Sequence, residues 1–274
     1  YSSAASYVYN RQFMAKAKHP AFVLAGGTDL MVAIKNDFIE PAIVVDIKKI
    51  PAMRTIRKSA TGFRIGAGVT AAEMAEHREL SKAWPGVVES AGLIGSDQIQ
   101  NRCTVAGNLC NASPAADSVP ALIAAGAKVR IVGPKGSRTI PVEKFVVGPG
   151  VTTLTHGEIV DSITLPKQVR RSADAYLRFI PRSEMDIAVV GAAVSLNISA
   201  AGIVQGARIA LGAVAPTALL VKQGADAIIG SKLDIEAITE LANVCELACA
   251  PIDDKRGTVA FRKEVAGVLA RRAA

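Results

Sequence analysis

Short apolar runs, punctuated by glycine, proline and polar clusters, divide this chain into elements. Residues 22–24 (Phe-Val-Leu) have the length of a buried strand, 29–35 carry helix-compatible apolar spacing, and 43–47 form a second apolar run. Strand, helix, strand is a βαβ unit and predicts a parallel pair. Ahead of it, 3–18 reads as helix. Segments 54–58 and 63–66 flank Ser59-Ala60-Thr61-Gly62, a hairpin connection with its glycine near the turn. Thr70-Ala71-Ala72-Glu73 is a capping box that predicts a helix over 71–79, and Pro85 opens another.

Farther on, 121–125 predicts helix, 128–132 strand, Pro134-Lys135-Gly136-Ser137 a turn, and 159–165 a strand ended by Pro166. The polar, basic segment 166–173 reads as a linker. Beyond it the order of elements reverses. Segments 175–180, 187–198 and 204–214 predict three antiparallel strands, supported by the alternation of Val194, Leu196 and Ile198. Helices over 235–250 and 259–272 follow. The fold class is α+β, with domains at 1–166 (a βαβ subdomain at 1–49 and a mixed one at 50–166) and 172–274. No repeat of solenoid spacing and no low-complexity tract is present.

Composition narrows the function. Half the 274 residues are hydrophobic but only 4% are aromatic, too few for a base-stacking nucleic-acid surface. The net charge of +8 comes from scattered lysines and arginines, with small groups at Arg54, Arg57 and Lys58 and at Arg170 and Arg171. That pattern suits a solvated basic surface, and its positive field would also favour an anionic dinucleotide or an acidic partner. No apolar run reaches the length of a membrane span, and the first residues lack the regions of a signal peptide, so the expected location is the cytoplasm.

Cys103, Cys110, Cys245 and Cys249 form no C-x-x-C pair, so no metal or iron–sulfur site is expected. His19, His77 and His156 lie far apart, none beside a nucleophile. No catalytic constellation is apparent, which points to chemistry carried by a bound cofactor.

Two small-residue stretches are the candidates for holding one. In the first, the strand Phe22-Val23-Leu24 breaks at Ala25-Gly26-Gly27, and Thr28-Asp29 precede the helix that begins near Leu30. That arrangement aims helix N-terminal amides at a phosphate. It is neither a G-x-G-x-x-G fingerprint nor a Walker A loop. The second runs from Thr104 through Val105, Ala106, Gly107, Asn108 and Ser113 to Asp117 and Ser118. Gly107 would supply the freedom of a tight turn, and bare N–H groups could hold an anion. An irregular loop is the alternative reading of that stretch.

Together the two stretches, with Ile94-Gly95-Ser96-Asp97-Gln98-Ile99, Asp186-Ile187-Ala188-Val189-Val190-Gly191 and the closing 261–269, resemble the FAD-binding medium subunit of molybdenum hydroxylases. That family includes the flavoprotein subunits of xanthine dehydrogenase, aerobic carbon monoxide dehydrogenase and 4-hydroxybenzoyl-CoA reductase. The resemblance implies a two-subdomain FAD-binding domain of the vanillyl-alcohol-oxidase-like fold, followed by a smaller three-stranded antiparallel sheet with helices. It implies non-covalent FAD here, with molybdopterin on a large partner subunit and a [2Fe-2S] centre on a small one, as a trimer or a dimer of trimers. It also implies residues ahead of Tyr1.

By the same resemblance, Val23 to Leu30 would line the FAD pyrophosphate, with N–H donors from Gly26, Gly27, Thr28 and Asp29. Thr104 to Asn108 would form the other half of the clamp, and Ser113 would stand at its rim. Asp117 would accept from cofactor hydroxyls, Ile94 and Val160 would flank the flavin ring, and Arg178 would place a cation beside it. Three departures stand out: Ala106 and Cys103 where the family commonly has glycine, and Arg178 where it often has lysine. A left-handed dihedral would be costly at Ala106 or Cys103. A flavin-free scaffold subunit and a stand-alone flavin oxidoreductase are the alternative functions.

Overall fold

The computed structural model describes residues 21–183 and 185–274, so the helix expected over 3–18 lies outside the described residues. The chain begins with β1 (Ala21–Leu24), α1 (Leu30–Lys35) and β2 (Ile43–Asp46), and β1 and β2 pair in parallel with Leu24 opposite Asp46. β2 stops one residue short of its apolar run. The Asp46 carboxylate accepts from the Lys48 N–H at 2.9 Å, turning Ile47–Lys49 into a 3-10 turn that buries Ile47.

Next come β3 (Ile56–Ser59), β4 (Gly62–Gly66), α2 (Ala71–Glu76), α3 (Arg78–Ala83), α4 (Pro85–Gly92), α5 (Asp97–Gln100), α6 (Val105–Asn111) and α7 (Ser118–Ala124). β5 (Lys128–Gly133), β6 (Gly136–Pro141), the small β7 (Val146–Gly148) and β8 (Val151–Thr152), and β9 (Ile159–Pro166) complete this part. The main sheet is antiparallel, in the order β3-β4-β9-β5-β6.

Both halves of the capping box form. Glu73 N–H donates to Thr70 Oγ1 at 3.2 Å, and Thr70 N–H donates to Glu73 Oε2 at 2.8 Å. The helix expected over 71–79 is nevertheless two helices, because His77 leaves helical geometry and its Nδ1 accepts from the Leu80 N–H, starting α3. The turn read over 134–137 is tighter than expected, since Gly133 pairs with Gly136 and residues 136–141 continue as a strand. Inward residues of the sheet, among them Ile65, Val129, Ile131 and Ile163, pack with Met74, Leu80, Leu109 and Leu122. Each such fully buried side chain stabilises by about 1.5–3 kcal/mol.

The C-terminal part contains β10 (Ser172–Phe179), β11 (Val190–Ile198), β12 (Val204–Gly212), β13 (Leu219–Leu220), α8 (Lys222–Ile228), α9 (Ile235–Ala248) and α10 (Val259–Ala273). The three expected antiparallel strands are present and a fourth, two-residue strand joins them. β10 starts at Ser172, so the connection from β9 is only 167–171. A second core sets Val190, Val194, Ile209 and Leu211 against Leu241, Cys245, Ala266 and Leu269. Arg262 on α10 is 4% exposed and donates to the carbonyls of Val189 (2.7 Å) and Ala213 (3.2 Å) and to Asp254 (2.7 Å).

Alternate residues of a strand share a face. On β10, Asp174, Tyr176 and Arg178 use one face to bond the preceding part of the chain. Asp174 Oδ2 accepts from the Val87 N–H at the start of α4, while Tyr176 and Arg178 both donate to Asp117 at the start of α7. This polar strip fixes the second sheet against the helices bordering the small-residue stretches.

Candidate functional site

The first small-residue stretch follows the carboxyl end of β1, where ligands of parallel α/β units commonly bind. Gly27 has φ +81, a dihedral L side chains rarely adopt. Asp29 occupies the N-cap position of α1, yet among the described residues no side chain caps that helix. Among the described residues, the N–H groups of Gly26, Gly27, Thr28 and Asp29 have no protein acceptor. Unsatisfied donors at a helix start favour an anion.

The second stretch departs from expectation. Residues 105–111 are helix α6, not loop, and Gly107 lies within it rather than at a turn. The reason is local: Thr104 Oγ1 accepts from the Gly107 N–H at 2.9 Å and caps the helix. Ala112, at φ 52, ends it. Neither Cys103 nor Ala106 has a positive φ, so the strain foreseen for non-glycine residues does not arise.

The fold brings these stretches together. A Cβ on Gly26 would lie 2.8 Å from both the Arg102 carbonyl carbon and the Cys103 Cα, with the Arg102 oxygen closer still. Only a glycine allows that approach of backbone to backbone. Asn111 Nδ2 at the end of α6 donates to Asp29 Oδ1 at 3.2 Å. Lys48 Nζ donates to the Ala25 carbonyl at 2.9 Å and pairs with Asp46 at 2.8 Å, placing a cation beside the first loop.

Other predicted residues are engaged within the protein. Asn108 Oδ1 accepts from Ser118 Oγ at 2.7 Å, tying α6 to α7, and Ser113 Oγ accepts from the Ala115 N–H. Asp117, 8% exposed, accepts from the Tyr176 hydroxyl at 3.1 Å and from Arg178 at 3.0 Å. Burial raises its carboxyl above the ordinary value, against the pull of Arg178 and Tyr176. Arg178 is thus half of a buried ion pair and not a free cation.

Ile94 packs partly buried on the main core between α4 and Gly95, whose φ is +65. Val160 is buried on β9 opposite Ile131, where a bulge inserts Asp161. Val23, Leu24 and Leu30 are half-buried about the first loop, and Val105 is buried. Sequence reasoning missed Lys48 and Tyr176, whose partners lie far along the chain. Position alone could have flagged Lys48, just past a parallel strand's end.

Burial pushes the Cys103 thiol up to about 11, which makes it an inert packing residue. No metal-holding cluster of His, Cys, Asp or Glu exists among the described residues.

Comparison with known proteins gives the family of the chain. Residues 3–168 match the family described as the FAD binding domain in molybdopterin dehydrogenase, and 175–274 match the CO dehydrogenase flavoprotein C-terminal domain. The carbon monoxide dehydrogenase medium chain of Hydrogenophaga pseudoflava is 32% identical over 92% of this chain and 88% of its own length. The xanthine dehydrogenase FAD-binding subunit of Escherichia coli O157:H7 is 28% identical over 88% of this chain and 83% of its own length. In structure, carbon monoxide dehydrogenase from H. pseudoflava lacking the Mo-pyranopterin moiety superposes with a TM-score of 0.92 at 30% identity, covering 97% of this chain and 92% of that one. The chain therefore belongs to the FAD-binding medium subunits of molybdopterin dehydrogenases, an oxidoreductase family.

Proposed function

We propose that this member of the family is an electron-transfer subunit. It takes electrons from a small [2Fe-2S] subunit, fed by a large molybdopterin subunit, and passes them to NAD, a quinone, oxygen or another acceptor. When bound, FAD supplies the redox chemistry; the chain's residues bind it, orient it and shape its electrostatics. The observation that carries this reading is the contact of Gly26 with Arg102 and Cys103, which sets the two small-residue stretches side by side.

On this reading Val23 to Leu30 line the diphosphate, with donors from Gly26, Gly27, Thr28 and Asp29. Thr104, Val105, Ala106, Gly107 and Asn108 present the second helix start, and Ser113 stands at the rim. Lys48 adds a cation to the phosphate side. Ile94 and Val160 form apolar wall beside the ring. Asp117 and Arg178 act as a pair, with Tyr176 holding the carboxylate. Any cofactor hydroxyl would share Asp117 with these two donors.

We assign 1–166 to FAD binding, as subdomains 1–49 and 50–166, and 172–274 to a cap. The assembly would be a heterotrimer or a dimer of heterotrimers. No helix among the described residues is long and apolar enough to cross a membrane; the location we propose for the complex is the cytoplasm. Co-expression with a molybdopterin-type large chain and a [2Fe-2S] small chain tests the reading. Purified complex should be yellow and release FAD on denaturation. A colourless complex that still assembles would leave only a scaffold role.

A further inference from the structure

The cations scattered in the sequence do not stay scattered in the fold. Across the main sheet Arg57 lies opposite Arg64, Arg64 opposite Thr164, and Thr164 opposite Lys128; in the adjacent row Ser162 lies opposite Arg130 and Arg130 opposite Thr139. These side chains share the outward face, since the alternating residues Phe63, Ile65, Val129 and Ile163 are buried on the inward one. Arg57, Lys128 and Arg130 are exposed, whereas Ser162 and Asp161 between them are buried. Four cations thus share the face with one carboxylate, Asp161, which receives Arg64 at 2.9 Å and Arg130 at 3.3 Å. Arg57 and Lys128 have no ion-pair partner among the described residues.

Three features indicate what such a face suits. Like charges opposed across strands, as in Arg57 and Arg64, work against folding, so stability does not require this arrangement. The two cationic rows contain no large apolar side chain, and Val132 and Ile159, farther along the same face, are buried, so the exposed part of the face lacks the apolar centre of a permanent subunit interface. Charge without an apolar centre fits a fast, transient encounter steered by complementary potential. The third feature is location. Val160 packs inward, whereas the next residue, Asp161, reaches the outward arginines. The cationic face is the reverse side of the strand segment assigned above to the flavin wall.

We propose that this outward face is the docking surface for an acidic electron-carrier protein that takes electrons from the flavin. The inference rests on the FAD reading above. Each one-electron carrier removes one electron, so two carriers reoxidise one fully reduced flavin, whose protons pass to solvent.

The test uses the FAD-loaded complex, its flavin reduced stoichiometrically with dithionite, mixed in stopped flow with plastocyanin, an acidic blue-copper protein. Cytochrome c serves as the basic carrier and a neutral benzoquinone as the small acceptor. Arg57→Glu/Lys128→Glu should slow plastocyanin reduction at low salt by about tenfold or more, and salt should erase the difference. The same variant should leave benzoquinone reduction unchanged. The control pair Lys222→Glu/Lys232→Glu changes net charge equally on another surface, where both lysines are exposed, and should leave plastocyanin rates as in the parent. Equal slowing by both pairs, or faster transfer to cytochrome c than to plastocyanin in the parent, overturns the proposal. So does loss of binding to a duplex DNA probe in Arg57→Glu/Lys128→Glu with carrier rates intact, which would make the face a nucleic-acid site. A complex without flavin defeats the underlying reading instead, and its spectrum reveals that before any mixing.

Discussion

Adding one methyl group at Gly26 is the sharpest way to separate the two halves of the site. The new Cβ would lie 2.8 Å from the Arg102 carbonyl carbon and the Cys103 Cα, whereas ordinary contacts begin near 3.4 Å. These atoms and the still nearer Arg102 oxygen are all backbone, so the segments must part by more than about 0.6 Å, and overpacking of this kind costs about 1–3 kcal/mol. If the cost falls on the juxtaposition that binds FAD, affinity should drop about 5- to 140-fold, at 1.4 kcal/mol per decade. Gly92→Ala is the matched control. Its Cβ would meet nothing within 4 Å among the described residues, and it is the last residue of α4, so it should stabilise the fold by no more than about 0.5–1 kcal/mol and leave FAD binding alone. Titration of the apoprotein with FAD, read by quenching of flavin fluorescence, gives both constants, and urea midpoints confirm folding. The reasoning is refuted if folded Gly26→Ala binds FAD as tightly as the parent, or if Gly92→Ala weakens binding equally.

Further expectations follow from the polar contacts. Burial pushes Asp174 up to about 6 from 3.8, with the Val87 and Gly86 amides pulling the other way, and its Oδ1 has no hydrogen-bond partner among the described residues. A folded-state value raised above the unfolded one gives stability fully present below about 3.8 and lost as pH rises through about 6. Relative to the parent, Asp174→Asn should therefore gain up to about 3 kcal/mol between pH 4 and pH 7.5; parallel urea midpoints across that range would contradict this. Arg262→Ala strands two carbonyls and Asp254, and should cost about 3–5 kcal/mol in thermal or urea unfolding, with Arg262→Lys recovering only part. Tyr176→Phe removes one of two donors to a buried carboxylate and should cost about 1–2 kcal/mol; an unchanged midpoint would mean that solvent replaces the hydroxyl.

What was legible in the sequence was local. The βαβ start, the Thr70 capping box, the Pro85 helix start and the strand alternation at Val194, Leu196 and Ile198 all depend on neighbours within a few residues, and each formed. Helix α6 was missed because Gly107 and the run of small residues read as a turn or loop, while the cap from Thr104 outweighed them. The split at His77 came from a side-chain nitrogen competing with the helix for the Leu80 N–H. The site was legible as two stretches but not as one place. Gly26 against Arg102, Lys48 at Ala25, and Tyr176 with Arg178 on Asp117 all join distant segments. The cationic sheet face was hidden for the same reason, since β9 is what joins the Arg57–Arg64 hairpin to Lys128 and Arg130 from farther along the chain.

The central claim is that two helix starts close on the diphosphate of FAD, and comparing FAD with riboflavin tests it most directly. Riboflavin keeps the ring but has neither phosphate nor adenine, so calorimetric titration of the apoprotein with each isolates what the loops hold. The account predicts that FAD stays bound through gel filtration, that riboflavin does not, and that Gly26→Ala narrows the gap between them. Equal affinity for the two ligands would contradict it.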